Sequence, residues 1–363
     1  MFEPEREKSM QNTTIDLRSD TLSLPTEEML RSTLSARLGD DSRDGDPTVL
    51  ELEALAAEMM GMEAGLFMPS GTMSNLVAMR THVEPGATAI VEQSAHLYGA
   101  EIGGIAAGCG LLVLPVQGKH GAPDLNLLKQ AARRVTTFFP TPGILCLENT
   151  HNAAGGTVIP EDHIRAAATL AREYGLKVHL DGARIFNAGV AAGVDVRDFT
   201  RHVDSVSFCL SKGLSAPVGS LLTGPLAFID RARMVRRALG GTLRQAGVIA
   251  AQGLVALRTG IPQLAVDHEN ARFFAESVAA MDCLDIDLES VQSNIINLDV
   301  GALGIDAATF ASCLDTEGVR GLPGLGSVVR FVTYRGITRE NVESAVAAIS
   351  RVLQTQPWEN AET

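Results

Sequence analysis

Two apolar runs end in charged residues set among small ones: Val178-His179-Leu180-Asp181-Gly182-Ala183-Arg184 and Ser207-Phe208-Cys209-Leu210-Ser211-Lys212-Gly213. A carboxylate at one strand end and an amine at another is the arrangement that a pyridoxal phosphate (PLP) enzyme needs. The Lys212 amine would form a Schiff base with the cofactor aldehyde, and Asp181 would keep the pyridine nitrogen protonated so that the ring can accept electrons. A free lysine, with a pKa near ~10.4, is a poor nucleophile at neutral pH, so its position matters as much as its presence. Taken singly, Lys212 reads as a surface lysine and Asp181 as a helix N-cap ahead of Gly182 and Ala183. Their pairing at the ends of apolar runs favours the cofactor.

The neighbouring polar residues extend this chemistry. Arg184 follows Asp181 closely and could hold a substrate carboxylate through its two-pronged guanidinium, where the ordinary reading is a salt-bridging arginine. Ser70-Gly71-Thr72 sits between a strand and a helix, where backbone N–H groups, two hydroxyls and the helix dipole suit a phosphate. Such N-caps are common, and this one gains weight because a PLP phosphate must be bound somewhere. His96 could stack on a cofactor ring or move a proton near neutral pH; a structural hydrogen bond is the plain alternative. Glu148-Asn149-Thr150-His151-Asn152 follows another apolar run and reads as a loop lining a site, or as a turn. Arg330, between Val329 and Phe331, places a charge inside an apolar strand, which calls for a carboxylate partner. Arg18, Asp20 and Glu101 carry no clear role at this level.

Positioning these groups requires alternating strands and helices. Strand patterns fall at Gly65–Met68, Thr88–Val91, Gly110–Val116, Ile144–Leu147, Lys177–Leu180 and Ser205–Cys209, with helical periodicity over Thr48–Met60, Ser70–Thr81 and Pro160–Tyr174. This alternation predicts an α/β domain with a mostly parallel central sheet, whose ligands bind beyond the carboxyl ends of the strands. Phe228–Gly260 reads as helix interrupted at Gly240-Gly241. From His268 the pattern changes to a small α+β unit containing Ile295–Val300, Ala307–Glu317, Val328–Tyr334 and Arg339–Gln354. The expected division is a flexible extension at 1–14, a large PLP-binding domain at 15–267 and a small C-terminal domain at 268–363.

Composition bounds the rest. Hydrophobic residues are 45% and charged ones 20% of the 363 residues, as in soluble globular proteins. A net charge of −13 argues against a nucleic-acid binder, which needs clustered Lys and Arg. The five cysteines are scattered without metal-ligand spacing or a disulfide framework, so no metal is expected. The acidic N-terminus lacks a signal-peptide pattern, and no apolar run is long enough for a membrane span; the expectation is a cytoplasmic protein.

Taken together, these residues resemble the threonine aldolase family among the fold-type-I, aspartate-aminotransferase-like PLP enzymes, which include the β-eliminating lyases. The resemblance runs through nearly the whole chain from Ile15. It is carried by Asp16-Leu17-Arg18-Ser19-Asp20-Thr21, Gly39-Asp40-Asp41 with Asp46-Pro47-Thr48, and Pro69-Ser70-Gly71-Thr72-Met73. Glu148-Asn149-Thr150-His151-Asn152, His179-Leu180-Asp181-Gly182-Ala183-Arg184-Ile185-Phe186-Asn187, Phe208-Cys209-Leu210-Ser211-Lys212-Gly213-Leu214, Ala216-Pro217-Val218-Gly219-Ser220 and Leu239-Gly240-Gly241 with Arg244-Gln245-Ala246-Gly247 continue it. The resemblance implies that Lys212 is the Schiff-base lysine, Asp181 the pyridine partner and His96 the ring-stacking residue. It implies Gly71 and Thr72 at the phosphate, in line with the Ser70-Gly71-Thr72 cradle read above, Arg244 reaching the phosphate of a neighbouring subunit's cofactor, and Ser19, Arg184 and Arg330 on the substrate carboxylate. It further implies a homotetramer built from dimers, and cleavage of a β-hydroxy-α-amino acid such as threonine or allo-threonine to glycine and an aldehyde.

Two departures concern the substrate. Ser42-Arg43-Asp44-Gly45 stands where the family shows Tyr-Gly after the paired aspartates. Phe138-Phe139-Pro140 stands where many members carry His-Phe-Pro, and a phenyl ring cannot hydrogen-bond a hydroxyl. They leave open another PLP reaction, by a β-eliminating lyase, racemase or transaldolase. A cofactor-free scaffold on the same fold is the non-enzymatic alternative.

Overall fold

Side-chain caps start the helices that frame the sheet. Asp46 accepts hydrogen bonds from the Thr48 and Val49 N–H groups at 3.0 and 3.2 Å, with Pro47 in the first turn, so the helix Pro47–Met60 begins there and ends at Gly61 in the left-handed region. Ser70 accepts from the Met73 N–H at 3.2 Å and opens Gly71–His82. The computed structural model describes residues 14–133 and 142–360.

A seven-stranded sheet forms the centre, in the spatial order Ala64–Met68, Ser220–Gly224, Ser205–Cys209, Lys177–Asp181, Pro142–Glu148, Thr88–Glu92 and Leu112–Val116. The last five run parallel; Ser220–Gly224 lies antiparallel between its two neighbours. Periodicity does not single out Ser220–Gly224 as a strand, because a Leu-Leu pair beside two glycines carries no period of its own. Pairing on both edges makes it one.

Both sheet faces are covered, as parallel strands require. Leu145, Leu147, Val178, Leu180, Val206 and Phe208 pack in the main core with residues of Pro47–Met60, Glu161–Glu173 and Gly247–Thr259. On the opposite face, Ile144 and Cys146 meet Met79 and Ile105, while Leu66 and Leu222 meet Val77, Phe228 and Ile229. The expected interruption near Gly240 separates Leu226–Ala238 from Gly247–Thr259, with Gly240 at φ 79°.

Register decides where the chemistry sits. Glu148 pairs opposite Asp181, and Asp181 opposite Ser207, so the carboxyl ends of these parallel strands share one rim.

A second core collects Phe274, Phe310, Phe331, Leu298, Ile349 and Val352 around the antiparallel strands Ile295–Asp299, Val328–Val332 and Leu322–Pro323. The helix Gln263–Ala279 links the cores, with Leu264 in the first and Ala271 and Phe274 in the second. Ile15–Asp16 pairs in parallel with Val319–Arg320, and Leu17 is buried in the second core. The N-terminal arm therefore docks on the C-terminal elements before it crosses to the sheet. Among the described residues, no helix is long and apolar enough to cross a membrane.

Candidate active site

Asp181 ends its strand with a buried carboxylate whose two oxygens are held separately. Oδ1 accepts from the Ala183 N–H at 3.0 Å, and Oδ2 from Asn75 Nδ2 at 2.9 Å. Asn75, on the helix that Ser70 opens, uses its other polar groups too. Nδ2 also donates to Glu101 Oε1 (3.0 Å), and Oδ1 accepts from Ser207 Oγ (2.8 Å) and lies 3.2 Å from His179 Nε2. Burial pushes His179 down to about 4, so its ring is neutral at pH 7. A neutral ring donating from Nε2 to Asn75 Oδ1 leaves Nδ1 to accept from Ser205 Oγ, 2.8 Å away.

His96 stands beside this carboxylate. Its Nδ1 lies 3.2 Å from Glu101 Oε1, and its N–H donates to Glu148 Oε2 at 2.6 Å. The Glu101 hydrogen bond, with the charges of Asp181 and Glu148, raises His96 above the ordinary imidazole value against its partial burial. Below it, His151 is buried with Nε2 3.1 Å from Glu92 Oε2 and 3.8 Å from Glu148 Oε2. Burial would lower His151, but the two carboxylates prevail and raise it.

Lys212 lies three residues past the strand Ser205–Cys209, in a turn tied down from both sides. Its carbonyl accepts from the Ser215 N–H and from Ser23 Oγ, each at 2.8 Å. Ser215 holds the left-handed conformation (φ 66°), and its hydroxyl accepts from Arg335 Nε at 3.2 Å. The main chain of the lysine is thereby fixed by the N-terminal arm and the C-terminal unit together.

The arginines converge next to it. Arg184 spends Nε and Nη2 on Asp20, at 2.6 and 2.7 Å, and donates Nη1 to Asn152 Oδ1 at 3.1 Å. Arg330 donates Nη1 to the same Asn152 oxygen at 3.0 Å and Nη2 to the Arg18 carbonyl at 3.2 Å, while its buried Nε has no partner among the described residues. Burial and the charge of Arg184 lower the Arg330 pKa, opposed by Asp20. Two guanidinium groups facing one neutral oxygen form a site short of negative charge.

The residues present fit PLP. A buried, oriented carboxylate awaits a protonated ring nitrogen, the N–H groups of Gly71 and Thr72 precede any intrahelical acceptor, and the lysine lies at the same rim. The beta-eliminating lyase model matches residues 16–300. Low-specificity L-threonine aldolase 1 of Arabidopsis thaliana is 37% identical over 94% of this chain and 97% of its own length. The low specificity L-threonine aldolase of Escherichia coli K12 is 38% identical over 92% and 97%. The chain belongs to the threonine aldolases of the beta-eliminating lyase family. Its fold is that of fold-type-I PLP enzymes. The threonine aldolase of Leishmania major superposes with a TM-score of 0.78 at 17% identity, over 93% of this chain and 99% of that one. A Sphingomonas wittichii serine palmitoyltransferase gives 0.75 at 16%, over 96% and 91%.

Asp181 and His96 are linked through Asn75 and Glu101, Arg184 and Arg330 through Asn152, and the Asn152 N–H donates to Glu148, whose other oxygen holds the His96 N–H. Ser19 is close in sequence to Asp20, but its hydroxyl caps a short 3-10 turn by accepting from Thr21. Ser70 and Thr72 are exposed at the helix start, and Arg244 is exposed on this single chain. Phe138, Phe139 and Pro140 lie outside the described residues. In the 39–47 loop, Asp41 accepts from Arg236 Nη2 (2.9 Å) and the Leu243 N–H, while Asp46 binds the N–H groups of Gly39 and Gly247. Gly247 has to be glycine: a Cβ there would stand 2.5 Å from Asp46 Oδ1.

The sequence passes over Asn75 and Glu92 and gives His179, Asp20 and Glu101 no role; it places Asn152 in a loop lining the site without its arginine partners. The usable signal was a polar residue in an otherwise apolar run, present at His179 and Glu92 but hidden at Asn75 by its ordinary helical setting.

Proposed function

We propose that this chain is a PLP-dependent carbon–carbon lyase that cleaves β-hydroxy-α-amino acids, of threonine or allo-threonine type, to glycine and an aldehyde. The observation that carries the reading is the convergence of Arg184 and Arg330 on Asn152, which shares the Glu148 carboxylate with His96 of the His96–Glu101–Asp181 cluster, a binding place for an α-carboxylate next to a ring site. The homology to low-specificity L-threonine aldolases supports the reaction type.

Bound PLP supplies an electron sink for the carbon–carbon bond that breaks. Lys212 would attach it, Asp181 would hold its ring nitrogen, His96 would stack on it, and Ser70, Gly71 and Thr72 would take its phosphate. Arg184 and Arg330, with Ser19 near them, hold the substrate carboxylate and so fix the direction of the Cα–Cβ bond. Glu101 occupies His96 Nδ1, which leaves Nε2 to exchange a proton with the β-hydroxyl, directly or through water.

Assembly as a dimer of dimers would bring Arg244 to a neighbouring subunit's phosphate; its exposure here supports that role. We further propose the division into a PLP-binding domain to residue 267 and a C-terminal domain from 268, and a cytoplasmic location. The test of the reaction is turnover of a panel of β-hydroxy-α-amino acids, both diastereomers separately. Glycine and the matching aldehyde in equal amounts are expected; pyruvate and ammonia in their place would refute the aldolase reading.

A further inference from the structure

Among the described residues, Asn152 is the one acceptor that both arginines share. Its Oδ1 takes Arg184 Nη1 at 3.1 Å and Arg330 Nη1 at 3.0 Å, although a carboxamide oxygen brings no charge to two cations. The remaining Arg184 donors are committed to Asp20, and Arg330 Nε is buried and unpartnered among the described residues. Asn152 is half-buried, so the point can be reached from solvent. Its backbone is anchored: the Asn152 N–H donates to Glu148 Oε1 at 2.8 Å, and the other oxygen of that carboxylate holds the His96 N–H.

We propose that Asn152 is a placeholder in the carboxylate subsite: its side-chain oxygen stands where one carboxylate oxygen of an α-amino acid binds, and it yields both arginine donors when substrate enters. The proposal deepens the aldolase reading and rests on it. A neutral acceptor keeps the guanidinium groups aligned without competing as strongly as a charged one would. The incoming carboxylate replaces a neutral hydrogen-bond acceptor with a charged one, and charged pairs form the stronger bonds. Its second oxygen can meet the idle Arg330 Nε.

The test is titration of the PLP-loaded enzyme with glycine, read by cofactor absorbance, in the parent, Asn152→Asp and Asn152→Leu. Methylamine, which is glycine without its carboxylate, serves as the control ligand. Asn152→Asp places a permanent carboxylate between the arginines and is expected to weaken glycine on the order of 100-fold. Asn152→Leu removes the competing acceptor and is expected to tighten glycine by about 2- to 10-fold, the worth of one hydrogen bond. The methylamine response should be the same in all three proteins. Weaker glycine binding in Asn152→Leu, or a methylamine response that falls with it, would overturn the proposal by showing that Asn152 merely supports the site. The leucine variant decides the matter even if the aspartate variant fails to fold. If the parent gives no response to glycine, the aldolase reading itself fails; if the parent responds and Asn152→Leu weakens, only the placeholder role does.

Discussion

Arg184 and Asp20 form a two-pronged ion pair, Nε on Oδ2 at 2.6 Å and Nη2 on Oδ1 at 2.7 Å, with both side chains shielded from water. It ties the N-terminal arm to the start of the helix Ile185–Ala192, which follows the Asp181 strand. Burial pushes the Asp20 carboxyl up, yet the charge and hydrogen bonds of Arg184, with Lys212 and Asn294 behind them, hold it below the ordinary carboxylate value. Removing one partner leaves a buried charge without compensation. Asp20→Asn should therefore cost about 3–5 kcal/mol of stability in urea unfolding. Since the folded carboxyl is the stronger acid, the pair's contribution is complete above pH 3.8 and declines as pH falls through the lower folded value. A variant as stable as the parent at pH 7 would contradict this.

His96 is held protonated to a higher pH by Glu101. Glu101→Gln keeps the shape and removes the charge, so the His96 ring should titrate closer to 6.5, followed by NMR of its ring protons. The raised value also means that this pair stabilises the fold fully below pH 6.5 and less as pH rises through the folded value. An unchanged His96 titration in Glu101→Gln would sink the argument.

Asn75 bonds Asp181, Glu101, Ser207 and His179 from one buried carboxamide. Asn75→Ala strands those partners and should cost about 1–3 kcal/mol of stability. It should also loosen PLP, because Asp181 loses the donor that orients Oδ2. Dialysis followed by the cofactor absorbance of the retained protein measures it; full retention would show that Ala183 alone orients the carboxylate.

Leu17 is buried in the second core and fastens the arm that carries Ser19 and Asp20. Leu17→Ala should destabilise by about 2–5 kcal/mol, as cavities in packed cores do. A rise in KM without a matching fall in kcat should accompany it, through the Asp20–Arg184 link.

Lys212→Ala should abolish glycine release while leaving the Asp181, arginine and phosphate contacts in place. The mutant is expected to bind PLP reversibly and to lose it on gel filtration. Retained turnover would remove Lys212 from its proposed role.

Much of the site was legible because its primary groups sit at strand ends. An apolar run closing on Asp181 or followed by Lys212 is a local pattern, and parallel strands direct such ends to a common rim. The Ser70 cap and the helix behind it were equally local. Ser220–Gly224 was not, since its only support is the strand on either side. Nor were the partners of the arginines: Asp20 lies 164 residues from Arg184 in sequence and Asn152 lies 178 from Arg330.

The α/β alternation, the acid and lysine that point to PLP, and the family are all written in contiguous residues, so the sequence carries them without the fold. Tertiary structure alone decided that Asp20 takes two of the three Arg184 contacts, that Asn152 faces both arginines, and that Asn75 orients Asp181. Hydrophobic periodicity tells a chain which side of an element to bury. It carries no information about which distant polar group will satisfy a buried donor, and that choice is made only when the two cores and the N-terminal arm close on one another.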